Sequence, residues 1–360
     1  MTIKEHGLHT GEGAGRIGPL VEGLTPGYYA LVMACGIVSL GLQLVGQDAL
    51  SAALFAVCII GYAVLCVLNL WRFISYRHAM ASDFRAPRRA FGFFTFVAGT
   101  NVLGARAAAE QWYTLTIVLL LVAAVVWLVL GYVIPWSAVL SQDHRPVVEL
   151  ANGTWFIWVV ASQSVAVSAA TLEVVLNDAR HYLAVLAVLS WSIGVFLYAA
   201  SAIIVSLRIM LYELKPEEFD PPYWVSMGAI AITVVAGARI VEMQSAPMVD
   251  ATRGLIAGLS VVFWAFATWL IPVLIAAGVW RHHIRGIPLR YEATLWSMIF
   301  PLGMYAVACI TLGRADHLPI VEWIGTHWLW VAVAAWFIVF VAMLRGLGRA
   351  LFGRRATSVG

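Results

Sequence analysis

A succession of apolar runs, each long enough to cross a bilayer and divided from the next by a short charged or turn-forming connector, restricts this chain more than any other feature. About 20 apolar residues span the hydrocarbon core as a helix. Runs of that kind fall at 27–45, 50–74, 90–109, 112–140, 153–172, 181–211, 223–241, 255–280, 293–313 and 328–350. Inside lipid the backbone N–H and C=O groups have to be satisfied within the protein, and for segments of this length that means helices. The chain is therefore expected to be an all-α polytopic membrane protein with ten transmembrane helices. Of its 360 residues 62% are hydrophobic and 11% charged, which excludes an ordinary soluble domain. Its surroundings are a lipid bilayer, with no sign of nucleic-acid binding.

Residues 1–24 are polar and glycine-rich and lack the apolar core of a signal peptide, so the first span is expected to direct insertion itself. This gives an N-terminal tail (1–24), a ten-helix transmembrane domain (25–350) and a C-terminal tail (351–360). With both termini in the cytoplasm, all but five of the 22 Lys and Arg lie on that side, the exceptions being Arg106, Arg180, Arg239, Arg253 and Arg314. The positive-inside rule then predicts a multi-pass protein of the cell (inner or plasma) membrane in that orientation.

The odd-numbered spans resemble one another. They begin near residues 26, 90, 152, 222 and 292, open with aromatics (Tyr28-Tyr29, Phe91, Trp155-Phe156, Tyr223-Trp224, Trp296) and carry small residues in their middles. The even runs at 50–74, 112–140 and 255–280 are plain Leu, Val, Ile and Ala, as suits lipid-facing helices. A repeat of one odd and one even helix reads as five helical hairpins. Five such units can close into a ring with the odd helices around a central pore, and duplication without closure leaves the same pattern.

Three odd spans end alike, in Leu103-Gly104-Ala105-Arg106, Ala236-Gly237-Ala238-Arg239 and Leu312-Gly313-Arg314. Counting back along one helical face, Arg106 follows Val102, Gly99 and Thr95; Arg239 follows Val235, Ile232 and Gly228; Arg314 follows Thr311, Val307 and Gly303. Span 1 offers Gly36, Ser39 and Gln43, and span 5 offers Ser162, Gln163, Ser164 and Ser168. These stripes predict a narrow, weakly polar conduit. Gly36, Ser39, Thr95, Gly99, Gln163, Ser164, Gly228, Ile232, Gly303, Val307 and Thr311 would line it, under an anion-attracting funnel of Arg106, Arg239 and Arg314. The competing account is close packing of helices through small residues, with terminal arginines snorkelling to water.

In span 9, Pro301 removes a backbone donor and crowds the preceding turn, which predicts a kink beside Phe300. Phe300, Val307, Thr311 and Arg314 share a face, so Phe300 and Pro301 are candidates for a gate; a packing kink with a core phenylalanine is the plainer alternative.

The chemistry of an enzyme is missing. The nine histidines fall in tails, connectors or span ends, and there is no HExxH, no GxxxxGK[ST] and no DxxxD on a connector of the cytoplasmic side. Cys35, Cys58, Cys66 and Cys309 sit in apolar runs without CxxC spacing. No catalytic residue, metal or cofactor is expected. Carboxylates are absent from the middles of the spans, which favours passive or weakly coupled movement of an anion over a buried proton relay.

The opening Thr25-Pro26-Gly27-Tyr28 through Met33-Ala34-Cys35-Gly36-Ile37-Val38-Ser39, Phe300-Pro301-Leu302 in span 9 and the ten-span hairpin pattern together resemble the tellurite-resistance/C4-dicarboxylate transporter family, over about residues 24–350. That family includes plant slow anion channels and fungal sulfite and malate carriers. The resemblance implies that odd helices line an anion pore and that the span 9 phenylalanine, here Phe300, plugs it. Span 5 departs from the family pattern, because Trp155-Phe156-Ile157-Trp158-Val159-Val160 lacks the prolines expected after its opening aromatics. The expected function is transport of a small anion, the choice among dicarboxylate, sulfite, tellurite, chloride and nitrate being open, as is homo-oligomerisation. A proton-coupled carrier or exporter of C4-dicarboxylates or sulfite, and a membrane scaffold without transport, are the alternatives.

Overall fold

The computed structural model describes residues 14–140 and 146–352. It contains helices α1 Ala14–Glu22, α2 Ala30–Leu44, α3 Asp48–Ser75, α4 Arg77–Arg85, α5 Phe94–Ala109, α6 Tyr113–Ile134, α7 Phe156–Glu173, α8 Arg180–Leu211, α9 Val225–Glu242, α10 Pro247–Val279, α11 Trp296–Ala315 and α12 Pro319–Phe352. Among the described residues, nine helical segments are long and apolar enough to cross a membrane. The run expected at 90–109 is helical, as a 3-10 turn Ala90–Phe93 followed by α5, but is not among the nine. Thr95, Thr100, Asn101 and Arg106 dilute its apolar character.

Two tiers of helices follow from the two kinds of sequence. Helices α2, α5, α7, α9 and α11 each pack against the next, and α11 packs back against α2, so the five close on themselves. Each of α3, α6, α8, α10 and α12 packs against the inner helix that precedes it. The four inner segments among these nine are buried over 72% (Pro26–Leu44) to 94% (Ala293–Ala315) of their most apolar stretch, the outer ones over 22% to 33%. Small residues let the inner helices approach: a Cβ on Gly228 would lie 2.8 Å from Pro301 Cγ, and one on Gly303 2.9 Å from Ile37 Cγ2. The outer helices leave large apolar side chains uncovered, among them Ile60, Val67, Leu121, Phe196, Trp269 and Ile338. A belt of that size is unsuited to water and suited to lipid.

Every inner helix is entered through a 3-10 turn, at Pro26–Tyr29, Ala90–Phe93, Gly153–Trp155, Pro221–Trp224 and Ala293–Leu295, and these turns touch one another in the same cyclic order. Proline starts two of them, where its fixed φ suits the first turn and its missing N–H costs nothing. Polar bonds tie neighbours together: Thr95 donates to Pro26 O at 3.0 Å, and Tyr28 and Tyr291 share a hydroxyl hydrogen bond of 2.8 Å between the first and last inner helices.

Three expectations change in detail. The tail 1–24 contains α1, tied to the bundle by Arg72, whose Nε donates to Glu22 O at 3.0 Å. The connector at 72–89 contains α4 and a buried Arg72–Asp83 ion pair of 2.7 Å, which Arg89 joins at 2.9 Å. Helix α12 starts at Pro319, ahead of the expected 328, because Gly313 lets it lie so close to α11 that a Cβ there would be 2.6 Å from Glu322 N. Its first turns, Pro319 to His327, therefore pack against α11 instead of looping. Helix α11 keeps Pro301 inside one continuous helix, Trp296–Ala315. Residues 1–13, 141–145 and 353–360, which hold most of the expected tails and much of the connector at 141–146, lie outside the described residues.

Candidate functional site

The closed set of inner helices has a cavity at each end. At the end where the inner helices start, Gly27, Gly92, Thr154, Pro222, Thr294 and Ser297 bring all five helix entrances to one space of about 360 Å³. We call it the start-side cavity. At the opposite end Leu40, Ala105, Val167, Val235 and Val307, again one from each inner helix, surround a space of about 250 Å³, the end-side cavity. Along α11 the two are linked by one face. Ser297 lines the first cavity and Val307 and Thr311 the second, at spacings that repeat every two turns, and Phe300 and Met304 fall on the same face between them. The ten residues from Ser297 to Val307 rise roughly 15 Å. Phe300 is 0% exposed and Met304 2%, so this stretch is closed. On α7, Val160 and Ser164 lie in the same way between Ile157 and Val167, which line the two cavities.

The residues expected to line a conduit are distributed unevenly. Val307 and Thr311 do border the end-side cavity. Gly36 instead meets α5 and α3, where a Cβ would be 2.6 Å from Val102 Cγ1 and 3.3 Å from Cys58 Sγ. Gly99 meets Tyr29 O at 3.4 Å, Gly228 faces Pro301 and Gly303 faces Ile37 and Val38, so these four glycines are points of helix approach. Ser39 exchanges hydrogen bonds with Ser51 on α3 (2.7 Å) and Thr95 bonds the backbone of the turns below it. Gln163 is turned to the outer helix α8, donating to Trp191 O at 3.1 Å. Ile232 and Ser164 are fully buried between the cavities.

The arginines also separate. Arg106 is 1% exposed, lines neither cavity and is turned into the α2–α3 hairpin. Its Nε donates to Ser39 Oγ (2.9 Å), its Nη2 to Ser51 Oγ (3.1 Å) and Glu110 (2.8 Å), and its guanidinium lies 4.6 Å from the Phe55 ring centroid. It locks a hairpin. Arg314 pairs with Glu322 at 2.8 Å and donates to Leu44 O, at the seam where α11 meets α2. Arg239 lines the end-side cavity, with Glu242 beside it at 3.4 Å. Such an exposed pair is worth about 0–1 kcal/mol, so the cation stays available.

Sequence reading missed the charge at the other end. Arg88, Arg89 and Arg208 line the start-side cavity together with Glu217, Glu218 and Asp220. All come from connectors or helix ends, where charge is ordinary and no spacing marks it. Burial pushes the Asp220 carboxyl up to about 7, against the opposing pull of Arg281 and Arg88, and its Oδ1 is buried without a hydrogen-bond partner. The other omission is Asn101, in the middle of α5, whose Nδ2 donates to Ser164 Oγ at 2.9 Å. A lone amide inside an apolar run was its signal, and it places a polar pair inside the closed layer.

Comparison with known proteins adds the following. A family model described as voltage-dependent anion channel matches residues 23–344. An uncharacterized membrane protein of Mycobacterium tuberculosis is 60% identical over 163 residues, 45% of this chain and 82% of the relative. An uncharacterized transporter of Methanocaldococcus jannaschii is 22% identical, covering 89% of this chain and 93% of its own length. A sulfite efflux pump of Arthroderma otae is 21% identical, covering 89% and 90%.

Proposed function

The chain belongs to the voltage-dependent anion channel family, relatives of the tellurite-resistance/C4-dicarboxylate transporters, and from that premise we propose that it conducts a small anion through the axis of its five inner helices, with Phe300 as the gate. In this reading α5 is a tenth span, carried across the membrane by its neighbours despite its polar residues, and the ten helices are five hairpins in a ring. The termini and the start-side cavity face the cytoplasm, and Arg239 draws anions to the outer mouth. Low-dielectric walls focus the field of such a group, and an apolar layer closes the path until it widens or wets. The observation that carries the proposal is the single face of α11 that runs from one cavity, past the buried Phe300, to the other.

The experiment is anion flux per folded molecule in liposomes for wild type, Phe300→Leu and Phe300→Ala. A gate predicts a rise from wild type through Leu to Ala at similar protein level. A core phenylalanine predicts a loss of roughly 3–5 kcal/mol in the Ala variant and flux falling with the melting temperature, which would remove Phe300 as the gate.

A second reading, a coupled carrier for sulfite or C4-dicarboxylates, is favoured by the likeness to a sulfite efflux pump. Flux that collapses when a pH gradient is abolished selects it over a channel.

A further inference from the structure

Two arginines from distant parts of the chain converge on one carboxylate at the start-side cavity. Arg88, in the connector before α5, donates from Nη2 to Glu218 Oε1 at 2.7 Å, and Arg208, in the last turn of α8, donates from Nη2 to Glu218 Oε2 at 2.9 Å. One guanidinium therefore serves each oxygen, and all three residues line the cavity. The Arg208 side chain is only 4% exposed, and its Nη1 is fixed by the carbonyls of Tyr212 (3.3 Å) and Glu213 (3.0 Å), so the fold aims its remaining donor. The Arg88 carbonyl accepts from Asn152 and Thr154, which anchors that residue's backbone at the next helix entrance. Glu218 belongs to the connector between α8 and α9 and sits on a short turn closed by its own N–H to Lys215 O at 2.9 Å. The hydrogen bond from Arg88 holds the Glu218 carboxyl below the usual carboxylate range, so it remains an anion.

We propose that Arg88 and Arg208 form an oxyanion clamp at the mouth of the inner helices, that Glu218 is its tethered occupant, and that a small carboxylate or sulfur oxyanion displaces Glu218 on its way into the axis. The proposal rests on the reading that this axis conducts anions and assigns the substrate class. Charge-assisted hydrogen bonds from two guanidiniums suit an ion that presents two oxygens. A halide is a single atom and presents no pair of oxygens to the two donors, so the clamp favours oxyanions over chloride. A tethered competitor lowers the apparent affinity by the fraction of time the clamp is free. Were it free about a tenth of the time, removing the competitor would gain about tenfold.

The test uses the full-length protein in liposomes, with flux driven from the start side and succinate, sulfite and chloride as probes. Glu218→Gln is expected to lower the half-saturating concentration for succinate and sulfite by about tenfold and to shift chloride far less. Adding Arg88→Gln to that variant should abolish the gain. The clamp is overturned if Glu218→Gln leaves the oxyanion values unchanged or moves chloride equally. Should Glu218→Gln fail to fold, Glu218→Asp, too short to bridge both guanidiniums, should give a smaller gain in the same direction, and no gain overturns the proposal. If the wild type passes no anion at all, conduction itself fails. The clamp is then judged by the shift in melting temperature that succinate causes in detergent: a larger shift in Glu218→Gln than in wild type keeps it, and equal shifts remove it.

Discussion

Asp220 stands immediately before the turn that opens α9, and its ionisation sets the sign of the start-side cavity. Three arginines and three carboxylates line that space, so neutralising one carboxyl leaves it net positive. The charged groups acting on Asp220 are Arg281 from the turn that follows α10, Arg88 from the connector before α5 and Glu292 from the approach to α11; Arg208, Glu217 and Glu218 share its cavity. Burial is the largest influence and raises its carboxyl to about 7. The native protein therefore holds a proton that an unfolded aspartate, near 3.9, has already lost. The stabilisation is complete below about pH 4 and disappears as pH rises through about 7. Anion flux from the start side should rise as pH falls through the same point. Asp220→Asn should fix flux near its low-pH level and raise the melting temperature at pH 8 relative to wild type. An unaltered pH profile in that variant would assign the dependence to another group.

At the scale of elements, the 3-10 turns carry more than helix starts normally do. They form the rim of the start-side cavity and hold neighbouring inner helices at a fixed spacing. Gly153 is the tightest of these contacts, since a Cβ there would collide with the backbone of Pro222 and Tyr223, and backbone cannot swing aside as a side chain can. Gly153→Ala is expected to separate the entrances of α7 and α9, with a loss at the overpacking scale of about 1–3 kcal/mol or above, read as a lower melting temperature and poor recovery of folded protein. Gly254→Ala is the control, because a Cβ on Gly254 meets nothing within 4 Å. Equal behaviour of the two variants would show that the rim yields easily. The same logic explains the misread glycines. A small residue in an apolar helix marks close approach, but sequence does not say whether the thing approached is another helix or an open path.

For the whole molecule, orientation decides which cavity meets which compartment, and the distribution of Lys and Arg predicts that both termini lie in the cytoplasm. Reporter tags at residues 5 and 358, both outside the described residues, should be protected from external reagents in intact cells. Labelling of either would turn the start-side cavity outward and put Arg239 on the cytoplasmic side. Helix class, nine of the ten expected spans, the contrast between inner and outer helices and the resemblance carried by the Phe300-Pro301 stretch were legible in the chain. Each depends on local composition and periodicity, which lipid enforces residue by residue. Which side chain an inner helix shows to the axis was not legible, because a helix fully covered by protein has no polar face to betray its rotation, and Arg106, Gly36 and Gln163 all point elsewhere. Nor could spacing disclose that Arg88, Arg208 and Glu218 meet, since 130 residues separate Arg88 from Glu218. The sequence by itself determined that the chain is helical, membrane-bound and built of alternating inner and outer segments, because burial in lipid reads directly as apolar length. Only the tertiary structure decided the rotation of each helix and the meeting of charged connectors, because those depend on packing between segments that share no local signal.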